Sequence, residues 1–243
     1  PRVSMLPPGG CAGPFRRDFG SHLRFVFLDP IGWQHTLISP THHKEVCPHP
    51  EPASVVFSLA DEFDHPEGRH VVLALHHPLV TAGPHGGNFT WKQHVFPLTD
   101  FVPWLWLPLP GLGSIYPISR QLGVTSTDTS SGPYRGVIRG IYRASRPRVP
   151  ILVAAGHEHS LQVHRDLVGL TYAVSGAGSS KKANRVEPSA TALMEKAVPG
   201  YMRLDTRHDG SLELEVIEVT STNEASSIFT QCIAEGPASA KRP

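Results

Sequence analysis

Charge of either sign is sparse in this chain of 243 residues, with 22 Lys or Arg against 21 Asp or Glu and a formal net charge of +1. So small an imbalance supplies no broad field for nucleic acid or for an acidic membrane surface, and no nucleic-acid partner is expected. Cysteine is scarce too. The three present, Cys11, Cys47 and Cys232, form no Cys-x-x-Cys pair, which removes the cysteine-based metal patterns. A membrane-spanning run is also lacking: the apolar segment Phe101–Gly113 is too short and too rich in proline to cross a bilayer. The chain opens on Pro1 with no initiator Met and no charged-then-apolar leader, so a processed precursor or a fragment is expected.

What is present fits a folded, loop-rich protein. Hydrophobic residues make up 40% and charged residues 18%, a globular balance, while 24 Pro and 22 Gly predict many turns. The 15 histidines are compatible with metal chemistry at neutral pH, although pairs such as His42-His43 read as surface residues. Cys11 and Cys47 both lie in turn-forming contexts. A bridge between them would close a loop of about 37 residues, contribute about 3–4 kcal/mol and imply an oxidising compartment. Two free thiols fit the same positions.

Several short apolar runs read as strands. Leu23–Asp29 ends at Pro30, and Val71–Leu75 and Ile151–Ala155 are apolar on both faces, as buried strands of layered α/β sheets are. Leu170–Val174 follows, and Tyr201–Leu204 and Leu212–Val216 flank the hairpin signal Asp209-Gly210. The best helical stretches are Ser54–Glu62 and Tyr134–Ala144, the second preceded by a Ser-Ser-Gly-Pro cap. Phe101–Gly113 sits within an insertion of about residues 94–130. It is either packed over the domain or a surface for a membrane or an attached domain. From about Thr220 the Ser- and Ala-rich composition predicts a disordered tail, residues 220–243.

Chemistry concentrates where two buried strands end in histidine: Leu75-His76-His77-Pro78 and Gly156-His157-Glu158-His159. In open α/β sheets, sites form beyond the carboxyl ends of strands. Residues two apart in an extended segment point the same way, so His157 and His159 can aim at one site. Gly156 is expected to allow a sharp turn and close approach of a ligand. Imidazoles suit zinc, iron and manganese, which polarise oxygen or create a hydroxide nucleophile.

These motifs resemble the calcineurin-like metallophosphoesterases, and within them the purple (tartrate-resistant) acid phosphatase branch and its bacterial relatives. The likeness runs from about residue 11 to 219 and includes Arg24–Asp29, His77-Pro78 followed by Gly83-Pro84-His85-Gly86-Gly87, Val174–Gly178 and Gly200–Leu204. It implies a four-layer α/β/β/α sandwich and phosphate-ester hydrolysis at a pair of metal ions, Fe, Zn or Mn. On this resemblance His76 and His157 would ligate the second metal and His159 the first. His85 would bind the phosphate or protonate the leaving group. His77 would be structural, Asp29 a strand-end residue, and Glu158 would fill a variable position. The branch's secreted habit adds to the case for an extracytoplasmic location.

The family's early motifs, Asp-x-His, Gly-Asp-x-x-Asp/Tyr and Gly-Asn-His-Asp/Glu, are not found before Arg24. They supply the carboxylate and Asn ligands. Three neutral imidazoles offer too few donors and no charge compensation for two cations. The expectation is therefore the C-terminal portion of a phosphoesterase domain, residues 1–219, inactive alone and with exposed sheet edges. A non-catalytic relative that binds through 101–113, and a one-metal module on His157 and His159, are the competing readings.

Overall fold

A computed structural model of the chain describes residues 6–38, 47–49, 51–146, 148, 150–178 and 183–236, with backbone alone for 35–38. The His42-His43 pair and the tail beyond 236 lie outside these residues.

Four of the apolar runs become the parallel centre of a seven-stranded sheet. Its strands are β1 (Phe15–Phe19), β2 (Leu23–Leu28), β3 (His70–Leu75), β4 (Leu152–Ala155), β5 (Leu161–Arg165), β6 (Thr171–Ser175) and β7 (Ala192–Lys196). They stand in the order β1-β2-β3-β4-β6-β5-β7. β2, β3, β4 and β6 run parallel, and β1, β5 and β7 pair antiparallel at the flanks. The central strands are apolar on both faces because both faces are covered.

Helices cover one face. Of α1 (Pro30–Ile38), α2 (Pro52–Asp64), α3 (Trp91–Val95), α4 (Ile115–Gln121) and α5 (Gly132–Ala144), the first, second and fifth pack on the sheet. Trp33, Leu59, Phe63, Tyr134 and Ile141 meet Val26, Leu73 and Val153 there. The cap expected for α5 is in place, with Ser131 Oγ accepting from Tyr134 N at 3.2 Å. On the other face lies a second, antiparallel sheet of β8 (Gly200–Thr206), β9 (Leu212–Val219) and β10 (Ala225–Ala234). Leu212, Leu214 and Val216 of β9 meet Val72, Leu152, Leu161 and Val163.

The α/β sandwich expected from the sequence is thus present as helix, sheet and sheet. Among the described residues no helix covers the outer face of the second sheet, and the residues there explain why. Arg203 pairs with Glu215 at 2.7 Å and Arg207 with Glu213 at 2.5 Å, so this face is charged and suited to water.

Two expectations change. The disordered tail from about 220 contains β10, which pairs with β9 along its length. Ile228, Phe229 and Ile233 pack into the inter-sheet core and outweigh the Ser- and Ala-rich composition. The insertion is not simply packed down, for most of its large apolar side chains are exposed. Cys11 and Cys47 form a disulfide, and Cys232 is free and exposed. The edges of the large sheet are β1, whose five residues are all exposed, and β7. No helix among the described residues is long and apolar enough to cross a membrane.

Candidate metal centre

β3 and β4 end side by side, Leu75 opposite Ala155, and Gly156 N donates to His76 O at 3.0 Å. Adjacent parallel strands therefore deliver His76, His77 and His157 to one spot at their carboxyl ends. One ring nitrogen from each lies within 4.8 Å of the others, the single such group of three His, Cys, Asp or Glu residues among those described. His76 Nε2 and His157 Nδ1 are 3.3 Å apart. His77 is buried, and its Nδ1 has no hydrogen-bond partner among the described residues. Tyr134 Oη holds this corner from helix α5 by donating to His77 O at 2.6 Å.

Burial, reinforced by neighbouring imidazoles, favours the neutral rings. It is the main cause that pushes His157 down to about 3 and His77 down to about 4, and it lowers His76 as well. Neutral imidazole is the state that a metal ion takes as a ligand.

The remaining predicted residues separate. His85 joins the cluster, with its ring centroid 4.0 Å from that of His157 and its Nδ1 3.2 Å from His157 Nε2. His159 is exposed and outside the three-nitrogen group, yet it lies near enough for its charge to act on His76 and His157. The turn responsible falls at His157, whose φ is +62°, and not at Gly156, where an added Cβ would find only ordinary contacts at 3.8 Å. A left-handed residue breaks the alternation of an extended strand, so positions two apart no longer share a face.

That break turns Glu158 inward, a role the sequence reading did not assign. Its fully buried carboxylate accepts from His85 N at 3.0 Å and from Asn184 Nδ2 at 2.5 Å. Gly83 and Gly176 exist for it: a Cβ on Gly83 would lie 2.3 Å from the Glu158 carboxyl group, and one on Gly176 2.0 Å from its carbonyl oxygen. Also unforeseen is Asp128, fully buried, which faces His85 Nδ1 at 3.0 Å and pairs with Arg120. Arg120 in turn donates to Tyr116 Oη at 2.6 Å. No motif marks Asp128 and Arg120, because both reach His85 from the insertion. With Phe89, Tyr116, Phe101 and Asn184, His85 and Arg120 line a cavity of about 530 Å³. A second cavity of about 630 Å³ lies beside Asp29, His76, His77 and Gly156.

No family model matches the sequence, and no curated protein matches it. Solved structures with a similar backbone include GAP50, the anchor in the inner membrane complex of Plasmodium, at 11% identity and a TM-score of 0.49, over 91% of this chain and 53% of that one. PhoD is similar at 13% identity and a TM-score of 0.48, over 96% and 46%. Purple acid phosphatase PPD1 from yellow lupin seeds is similar at 14% identity and 0.42, over 89% and 32%. The chain thus spans between 32% and 53% of the length of these structures. Likenesses this distant carry no functional argument, which rests on the residues themselves.

Those residues fit one ion better than two. Two imidazole nitrogens on a tetrahedral ion with bonds of about 2.0–2.1 Å stand about 3.3–3.4 Å apart, the spacing of the His76 and His157 nitrogens. His77 adds a third candidate donor, one of its ring nitrogens lying within 4.8 Å of those of the other two. A two-ion centre needs carboxylates, and none belongs to the group. Asp29 neighbours it, but its Oδ1 accepts from Ile31 N at 2.9 Å at the start of α1. The described residues alone therefore do not fit a dinuclear centre.

Proposed function

We propose that this chain carries the histidine side of a hydrolytic site for phosphate esters, of the calcineurin-like metallophosphoesterase kind. The observation that carries the reading is the meeting of His76, His77 and His157 at the ends of β3 and β4, with His85 against His157 at the mouth of a cavity. The carboxylate donors of a two-metal centre would have to come from outside the residues that meet here.

In this reading the chain's own groups bind and orient the substrate. Asp128 Oδ1 and Arg120 Nη2 both meet His85 Nδ1, at 3.0 and 2.9 Å, which leaves Nε2 as the nitrogen that faces the leaving oxygen. Arg120 fixes Asp128, and the cavity beyond receives the alcohol portion of the ester. The disulfide supports an extracytoplasmic protein.

The test is phosphate monoester hydrolysis by the full-length gene product after chelation and after return of zinc, iron or manganese, with metal content measured alongside. We expect metal-dependent turnover that falls about 10²–10⁴-fold in His85→Ala and is abolished in His157→Ala. Turnover indifferent to His157→Ala would sink the proposal. Metal-dependent turnover would equally dispose of a purely non-catalytic relative.

A further inference from the structure

Aromatic rings wall the cavity beside His85. Helix α4 sets Tyr116 and Arg120 four residues apart, so both side chains leave the same face of the helix. Arg120 Nη2 meets His85 Nδ1 at 2.9 Å, while the Tyr116 ring lines the cavity next to it. One turn of helix thus ties a wall of the cavity to the group that faces the leaving oxygen. Phe89, on the segment that follows His85, packs edge-to-face on Tyr116, with ring centroids 5.8 Å apart and planes at 80°. Phe101, 86% exposed, lines the same space. The volume of about 530 Å³ lies within the range of about 300–1,000 Å³ usual for small-molecule sites.

Most polar side chains of the lining already have partners. Gln93 Nε2 donates to Asp100 Oδ2 at 2.9 Å, Asn184 Nδ2 donates to Glu158, and Arg120 is held by Asp128. Arg185 differs, for its exposed guanidinium has no hydrogen bond or ion pair among the described residues. It is available to an anion. A polyhydroxylated alcohol would exchange its bonds to water for few side-chain partners here. A ring gains instead from burial and from the offset or edge-to-face contacts that these walls offer.

From this we infer that the cavity selects phosphate esters whose alcohol carries an aromatic ring, with Phe89, Phe101 and Tyr116 as the residues that determine this specificity. The reaction is the hydrolysis already described: water adds to phosphorus, the P–O bond to the alcohol breaks, and the alcohol oxygen takes up a proton. The inference rests on the phosphoesterase reading for that chemistry and on the cavity alone for the preference.

The full-length gene product, with its metal restored, is assayed on benzyl phosphate and on glycerol 1-phosphate. Their leaving alcohols are of similar basicity, so the ratio of kcat/KM reads recognition and not leaving ability. We expect a ratio of about ten or more in favour of benzyl phosphate. It should fall about fivefold or more in Phe101→Ala, a change at an exposed position, and fall likewise in Phe89→Leu. Turnover of both esters at a ratio near one, or a ratio that ignores both changes, would overturn the inference and leave the phosphoesterase reading standing. Turnover of neither ester would sink that reading, and phosphonate binding then decides the inference. Benzylphosphonate held about tenfold or more tighter than methylphosphonate, and weakened by Phe101→Ala, would support a site for aromatic anions. Equal binding of the two phosphonates, or none, would overturn it.

Discussion

Replacing Glu158 by Ala should unfasten the loop that carries His85. The carboxylate is fully buried and receives two short hydrogen bonds, from the His85 amide and from Asn184 Nδ2, plus a longer one from Thr81 Oγ1 at 3.4 Å. A hydrogen bond to a charged group contributes about 1.5–3 kcal/mol, and a buried donor left without its acceptor costs about 1–3 kcal/mol. The two short bonds therefore place the loss at about 3–5 kcal/mol, the long one adding little. Glu158→Gln keeps one acceptor oxygen and should lose about 1–3 kcal/mol. Urea unfolding followed by far-UV circular dichroism measures both. The wild-type midpoint should fall most in the Ala variant, with the denaturant slope unchanged. A Glu158→Ala protein within about 0.5 kcal/mol of the parent would refute the assignment of the carboxylate as an anchor.

Arg120→Met strands the buried Asp128 carboxylate and should cost about 3–5 kcal/mol in urea unfolding. Adding Asp128→Leu should recover part of that loss, and strict additivity of the two changes would contradict a coupled pair. Gly176→Ala should destabilise by more than about 2 kcal/mol because its Cβ meets Glu158 backbone, whereas Gly156→Ala should stay within about 0.5 kcal/mol. Equal Tm values for the two variants would contradict the placement of the turn at His157. Burial pushes His164 down to about 4, so its unfolded form, with a pKa near 6.5, binds the proton first as pH falls. The stability that its neutral ring preserves is complete above about pH 6.5 and is lost towards pH 4, by about 2–4 kcal/mol. His164→Gln should flatten that slope relative to the parent in unfolding measured across this window, and an unchanged slope would exclude His164 as its source.

The layered fold was legible where burial is two-sided. Val71–Leu75 and Ile151–Ala155 announce central strands because neither face meets water. β5 shows why other strands stay hidden. Leu161-Gln162-Val163-His164 is buried throughout, yet half of it is polar. Gln162 bonds to Ala82 N, Ser160 Oγ and His164, so its burial is satisfied by partners that no periodicity reveals. β1 fails for the opposite reason: Phe-Arg-Arg-Asp-Phe is an exposed edge whose pairing with β2, rather than any apolar face, defines it.

The site divides along the same line between local and distant causes. His76 and His157 could be read because a strand end fixes where a residue lies. His159 could not be placed, since the rule applied to it assumes an extended backbone and His157 abandons that conformation. His77, expected to be structural, is buried with its Nδ1 lacking a hydrogen-bond partner among the described residues and joins the group of three. Three acids of this region share a further property that sequence position conceals. Asp29 is tied to the start of α1, Asp128 to Arg120 and His85, and Glu158 to the His85 loop. Asp128 and Glu158 are committed to holding side chains and backbone in place, while Asp29 uses one oxygen in this way and lies beside His76. The imidazoles are the donors left to converge, and this division of labour separates the cluster seen here from a centre able to balance the charge of two cations.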